Sequence, residues 1–527
     1  MRKLFAVFIS LVMFLSASLN LVYAQENLHK QIENGADNNF VIGFLPLDTR
    51  PCTYDFPIEL AQIYGAKILY PDRNILANFR DEPNMDKIRS WLVETSDKCN
   101  ALVVSIEQLV YGGLIQAREA KINADEFDKA LNLLRDIKKK HPDMPIYISN
   151  VLMRTSTSAF DADSLKWWQK ISEYSNAYYR SMTSKNTDAK LELAKLENEI
   201  PKKVLDTFLR SRKLNHELNL KCIQLVSDGI ADYLQICQED STAEGMQCFE
   251  QKELMETIFK NGCANKISMA NGTDEAGSEI LMRALCSQGS SAKIVWLGEN
   301  TNFTAKYEDR PFVENLNAHM KALNIKNASD SQNVICIFTP KKEQGDYALN
   351  SFEGYQAYTD DEIDNMAQII YEFIAQGKHI FLLDVESANG GNPIFLTSLA
   401  KKIPILNLYG YSAWNTASNS LGTLLAQLFA GNGENSVANK NFTAERIIDD
   451  CVYQSTVRII SKTKLESVGA NTMNISDVDA ARQLVADSFV ENADLIRNIF
   501  AGSICAFDIS LRWPRLFEIS IRINQSL

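Results

Sequence analysis

Gly272-Thr273-Asp274-Glu275-Ala276-Gly277 sets two adjacent carboxylates between glycines, directly after the apolar run Ile267–Ala270. Carboxylates so placed can divide the work of bond cleavage. Glu275 would act as general acid and base, while Asp274, or Asp240 from Gln238-Glu239-Asp240-Ser241, would orient a group or stabilise developing positive charge. Glycosidic cleavage needs such carboxyls beside the scissile bond, and some families use an Asp-Glu pair to assist the substrate's own acetamido group. The glycines let the backbone turn sharply and a ligand come close. The same stretch also reads as the N-cap and acidic first turn of a helix.

Polar residues gather after other apolar runs in the same way. Asp48 and Arg50 follow Phe40–Leu47 as a carboxylate–guanidinium pair, able to grip a ligand or to close a local salt bridge. Glu107 follows Ala101–Ile106, Asn150 and Arg154 end or follow Ile146–Val151, and Asp384 and Asn389 follow His379–Leu383. Trp414 and Asn415 come after Ile405–Tyr409; an indole face suits a sugar ring and an amide its hydroxyls, although a core tryptophan beside a capping Asn is the plainer reading. These nine residues are expected to line a substrate pocket. Acidic strand ends could also take Ca²⁺ or Mg²⁺, but no EF-hand loop or fixed metal spacing is present, and neither a resident metal nor a cofactor is expected. No G-x-S-x-G elbow, P-loop or CxxC pair occurs.

Bringing these residues together requires strands whose carboxyl ends share one face. Ala66–Tyr70, Tyr233–Cys237, Lys293–Leu297 and Val334–Phe338 complete ten strand candidates, near-continuously apolar as in parallel sheets covered on both sides. Helical patterns such as Glu126–Lys140 and Asp360–Gln376 separate them, so the class is α/β. The expected fold is an elaborated (β/α)8-type barrel with a helical insertion at 163–229; the alternative is two doubly wound domains parted near 325–333. Either places ligands at the carboxyl ends of the strands. The α/β body is expected over 40–430, followed by a helical extension over 431–527 that ends in the apolar segment Ile504–Ile523. The Lys- and Glu-rich insertion reads as a solvated face, with Pro201 and Gly229 bounding a helix.

The chain has 527 residues, 46% of them hydrophobic, and a formal charge of −12. That supports a large core and offers no global basic surface for nucleic acid or anionic lipid. Arg2 and Lys3 precede an apolar stretch ending in Val22-Tyr23-Ala24, the layout of a signal peptide (1–24) cleaved before a linker (25–39). The expectation is a periplasmic or extracellular protein with no stable membrane insertion once the leader is removed. Ten cysteines in an exported chain permit disulfides, and one or two are expected between Cys222 and Cys286, while Cys237 and Cys336 read as buried thiols.

The chain resembles a bacterial family termed domain of unknown function 4127. The resemblance rests on Phe44-Leu-Pro-Leu-Asp-Thr-Arg-Pro-Cys52, Val104-Ser-Ile-Glu-Gln-Leu-Val-Tyr-Gly-Gly-Leu114, Arg212 with Asn215, and Gln238-Glu-Asp-Ser241. It continues through the Gly272 motif, Tyr307-Glu-Asp309, Asp384 with Asn389-Gly-Gly, and Ala413-Trp-Asn-Thr416. Glu239 stands where the family pattern has Asp, and Asn392 where it has an acidic residue. The family implies no activity. A weaker resemblance links Gly272-Thr-Asp274-Glu275 to the Gly-Asp-Glu signature of substrate-assisted barrel hexosaminidases and implies acid/base use of that pair. The function expected first is an exported glycosidase-like hydrolase acting on a glycan or small molecule. A non-catalytic binding protein for a sugar or small anion, and a metal-dependent hydrolase, are the alternatives.

Overall fold

The computed structural model describes residues 40–523 apart from 120, 123, 185, 186, 287 and 505. The expected leader (1–24) and linker (25–39) lie outside the described residues. Six strands form one all-parallel sheet: β1 (Val41–Leu45), β2 (Lys67–Leu69), β3 (Ala101–Ser105), β4 (Ile146–Leu152), β5 (Tyr233–Gln238) and β6 (Ile267–Asn271). Their order is β2-β1-β3-β4-β5-β6. Strands β1, β3 and β5 are buried along their whole length, which explains their unbroken apolar runs; the edge strand β2 is short and half-exposed.

The next strands are β7 (Ser290–Trp296), β8 (Ile325–Asn327), β9 (Asn333–Phe338), β10 (Gly345–Asp346), β11 (His379–Asp384), β12 (Ser387–Ala388) and β13 (Gly410–Ser412). A second parallel sheet runs β13-β11-β9-β7-β8, while β10 pairs with β12. The closing hairpin is β14 (Phe507–Ser510) with β15 (Ser520–Ile523). Within each parallel sheet the second strand lies outside the first and the later strands run off the other side. The doubly wound order 2-1-3-4-5 therefore occurs twice, which opens a crevice at the carboxyl ends of the strands.

This is α/β architecture, and no hydrogen-bonded barrel closure is found among the described residues. The polar stretch at 327–332 does not part the sheets: it joins β8 to β9 inside the second one, and the change of sheet falls between β6 and β7. The apolar run Ile405–Tyr409 is also not a strand. Pro404 starts a single 3-10 turn over Ile405–Asn407, which buries Ile405, and the strand begins at Gly410.

The two sheets share one hydrophobic core, so they are not hinged lobes. Ile42 and Phe44 of the first sheet belong to the same buried cluster as Ile335 and Phe381 of the second. Helix Ala417–Ala430 lies at its centre, buried on every side. The insertion folds as three helices, Ala162–Thr183, Thr187–Glu199 and Lys202–Ser227, the last entered from Pro201 and left through Gly229 at φ +71°. It is more than a solvated face. Arg212 is buried and donates to the carbonyls of Met153 and Arg154, and Asn219 donates to Asn150 Oδ1 at 2.5 Å, so the insertion braces the chain after β4. The nine described cysteines are free thiols, so the bridges expected between Cys222 and Cys286 are not formed. Among the described residues no helix is long and apolar enough to cross a membrane.

Candidate functional site

A cavity of about 330 Å³ opens where the carboxyl ends of both sheets meet the insertion and the C-terminal extension. Six of the twelve residues expected at the site line it: Arg50, Arg154, Asp240, Asp274, Asn389 and Asn415. Each follows a strand. Arg50 comes after β1, Arg154 after β4, Asp240 after β5, Asp274 after β6, Asn389 after β12 and Asn415 after β13. Asn389 and Asn415 both hold positive φ, +61° and +64°, and are linked by the Asn389 N–H donating to the Asn415 carbonyl at 2.8 Å. Left-handed backbone at two facing asparagines is a strained arrangement of the kind that collects at ligand sites.

Arg50 is the anchor of the floor. Its guanidinium donates to Asp48 Oδ2 at 2.8 Å and to Asp274 Oδ1 and Oδ2 at 2.7 and 3.0 Å. Burial would lower the Arg50 pKa, but Asp274 and Asp48 reverse this and hold it well above its ordinary range. Burial likewise tends to raise Asp48, and Arg50 and Thr53 outweigh it. Asp48 itself stays behind the cleft wall as the partner that aims Arg50. Asn415 Nδ2 donates to Asp274 at 3.2 Å, and the Asn419 side chain accepts from the backbone N–H of Thr273 at 3.1 Å, so Asp274 is held from both sheets.

The remaining cations are less well paired. Arg118 meets Glu239, and Arg154 meets Asp240 and, at 3.8 Å, Glu239. Arg515 pairs with Glu518 at 2.9 Å and stacks on the Trp513 ring. Arg458 is 5% exposed; among the described residues its guanidinium reaches the Asn389 carbonyl, at 3.5 Å, and the face of Phe517, and no carboxylate within salt-bridge distance. Burial pushes the Arg118 pKa down, and repulsion from Arg154, Arg50 and Arg515 adds to it. Burial and then Arg515 pull Arg154 down to about 10, and burial lowers Arg458. Guanidiniums remain charged at neutral pH, so what these shifts report is buried charge that its surroundings do not fully compensate, with repulsion between cations added at Arg118 and Arg154. An anion in the cleft would relieve it. Around the cations stand Phe160, Trp168, Met473, Trp513 and Phe517, an apolar and aromatic wall.

The other expected residues face elsewhere. Glu275 turns behind the floor, where burial and the neighbouring Glu279 push its carboxyl well above the usual range. Gly272, at φ +98°, leaves it room, because a Cβ there would stand 2.1 Å from Glu275 Oε1. The general-acid role expected for Glu275, and the hexosaminidase-like use of the pair, therefore lack access to the cleft. Trp414 is a core residue packed edge-on against Phe517. Asp384 is buried, raised to about 7 by desolvation, and accepts from the Asn392 N–H at 2.7 Å.

Glu107 and Asn150 are also internal. Glu107 Oε1 accepts from Asn150 Nδ2 at 2.7 Å and from the Val151 N–H at 2.8 Å, while Oε2 has no hydrogen-bond partner among the described residues. Burial raises this carboxyl from 4.5 to about 7. A folded-state value above the unfolded one gives stability that is complete below about pH 4 and lost as pH rises through 7. Glu107→Gln keeps the accepting oxygen and removes the titration. It should match the parent near pH 4 and exceed it at pH 8, by up to about 3 kcal/mol, in urea denaturation at the two pH values. A variant equally destabilised at both would show that the carboxylate form is needed.

Arg118, Arg458, Lys462, Trp168, Trp513 and Arg515 were not expected at the site, yet all line it. One signal was available for two of them. Arg512-Trp513-Pro514-Arg515-Leu516-Phe517 alternates cations and aromatics within the apolar closing segment.

A family model described as protein of unknown function (DUF4127) matches residues 42–522, and the chain belongs to that family. No match is found among curated proteins.

Proposed function

We propose that the cleft binds an acidic carbohydrate, its anionic group held by Arg118, Arg154, Arg458 and Arg515 and its ring laid against the aromatic wall. The observation that carries this reading is the charge imbalance. The cavity is lined by Arg50, Arg118, Arg154, Arg458, Lys462 and Arg515 against Glu239, Asp240 and Asp274; Asp48 and Glu518 engage Arg50 and Arg515 from behind the lining, and Arg458 is left with no carboxylate within salt-bridge distance among the described residues. A neutral sugar would leave the guanidiniums as repulsive as before. A carboxylate or phosphate on the ring would accept bidentate, charge-assisted bonds from them. The cavity volume suits a ligand of one or two rings. An exported location, as the leader implies, would put this cleft in contact with extracytoplasmic glycans.

Hydrolysis is a second reading, supported by Asp240 and Asp274 lining the same cavity. Asp240, with about 30% of its side chain exposed, is the more accessible and as a carboxylate suits a base or nucleophile. With Glu275 turned away, a proton would have to come from another cleft side chain, such as Lys462 or Tyr307, whose hydroxyl donates to Asp346 at 2.5 Å and is held well above its ordinary range by burial.

The test is a thermal-shift and calorimetric comparison of matched pairs, such as uronic acids or sugar phosphates against their neutral parents. The acidic member should bind at least about 10-fold more tightly, and its affinity should fall with added salt. Equal binding of both members would overturn the proposal. Product release from an acidic oligosaccharide that Asp240→Asn abolishes without loss of binding would support hydrolysis; turnover unaffected by that change would exclude Asp240 from it.

A further inference from the structure

We infer that Glu275, Glu279 and His319 hold a divalent transition-metal ion in a closed site beneath the floor of the cleft. All three are buried, and one ligand atom from each lies within 4.8 Å of the others. Glu275 stands at the start of helix Ala276–Leu285 and Glu279 one turn further on, so both project on one face. His319 comes from helix Phe312–Ala322 and brings its imidazole to Glu279. Around a Zn²⁺ with bonds of about 2.0–2.2 Å the ligand atoms stand roughly 3–4 Å apart, a small contraction of the present arrangement. Two carboxylates and one imidazole suit Zn²⁺ or Mn²⁺, and the two negative charges balance the ion.

The surroundings resemble those of prepared ligands. His319 Nε2 lies 2.9 Å from the Asn271 carbonyl oxygen, which can only accept, so Nε2 carries the hydrogen. Nδ1 is thereby turned towards Glu279 Oε1, 2.8 Å away. A backbone carbonyl on the far nitrogen is the usual device for orienting a metal-bound histidine. The second oxygen of Glu279 accepts from Gln235 Nε2 at 2.6 Å.

The independent sign is Glu275. It is 1% exposed, and among the described residues neither carboxyl oxygen has a hydrogen-bond partner. Burial of an unpartnered polar group is costly, and a cation is the partner that both oxygens can share. The backbone is shaped around this side chain, since a Cβ at Gly422 would stand 2.2 Å from Glu275 Cγ. The other acidic groups nearby are already engaged: Asp274 with Arg50, and Glu308 with Asn315 Nδ2 at 2.8 Å and the Ser418 N–H at 2.7 Å. Without the ion, the 2.8 Å contact between His319 Nδ1 and Glu279 Oε1 is the one hydrogen bond that links two of the three ligands among the described residues.

The ligands straddle the change of sheet, because Ala276–Leu285 follows β6 and Phe312–Ala322 lies between β7 and β8. An ion there would clamp the two sheets together directly behind Asp274. With no exposed face, its role is to fix the cleft and not to meet substrate.

The full chain, unfolded with a chelator and refolded with or without Zn²⁺, should retain one Zn²⁺ per chain by mass spectrometry after desalting. The loaded form should also melt several degrees higher. Glu279→Gln and His319→Gln should retain less than about a tenth as much. Absence of stoichiometric metal in the refolded parent, or undiminished metal in both variants, would overturn the inference. Since either variant can fail to refold, X-ray absorption at the zinc edge of the parent gives a second reading. One imidazole with oxygen ligands is expected, and sulfur ligands or several imidazoles would contradict the site.

Discussion

Arg50→Met should destabilise the protein by about 3–5 kcal/mol, the largest loss expected from any single change at the site. The guanidinium is the shared partner of Asp48 and Asp274, with both pairs buried, and methionine fills much of its volume without its charge. Two carboxylates would be left without their cation, and burial would push the Asp48 carboxyl towards its neutral form. The sign with pH follows. Arg50 is what holds Asp48 below its ordinary value against burial, so once it is gone the folded-state value of Asp48 rises, and the deficit should be smallest near pH 5 and widen towards pH 8. Urea denaturation at the two pH values measures it. A loss below about 1 kcal/mol at pH 8 would mean that the Asp48–Arg50–Asp274 chain does not hold the floor.

Arg458→Met should have the opposite profile, with near-parental stability and a loss of at least about 30-fold in affinity for an acidic ligand. Arg458 has no carboxylate within salt-bridge distance among the described residues; Asp346 and Asp449 act on it from further away and do not offset its burial. Removing it relieves a buried charge, while methionine keeps the contact with Phe517. If the arginine serves the fold, the variant will be destabilised and its affinity little changed. If it serves the ligand, the variant will melt at or above the parental temperature, bind weakly, and show a shallower dependence of affinity on salt. Both quantities come from one calorimetric series with a parallel melting curve. The contrast with Arg50→Met separates the arginine that holds the protein together from the one held in reserve for an anion.

The sheet strands were mostly legible because burial on both faces leaves a continuous apolar signature, as in Val41–Leu45 and Val334–Phe338. The edge strand Ile325–Asn327 left none, since two of its three residues are exposed. The run Ile405–Tyr409 misled because a 3-10 turn can bury Ile405 and Leu408 as well as a strand can. At the site, the strand-end rule found Arg50, Arg154, Asp240, Asp274, Asn389 and Asn415. It could not tell Asp274 from Glu275, which are neighbours in sequence but leave the turn on opposite sides of the floor. Nor could it reach Arg118, Arg458 and Arg515. Their neighbours in the cavity come from distant segments, and a lone arginine in a helix such as Arg458–Ser467 reads as surface until the fold covers it. The expected glycosidase machinery rested on the acidic residues, whereas the cavity they line is predominantly cationic.

The central claim is that this cationic cleft receives an anion, and a crystal structure of the full chain with an acidic sugar tests it most directly. The carboxylate or phosphate should lie within hydrogen-bond distance of at least two of Arg118, Arg154, Arg458 and Arg515, with the ring against Trp168 or Trp513. An acidic group pointing into solvent, or a ligand seated outside this cavity, would contradict the account.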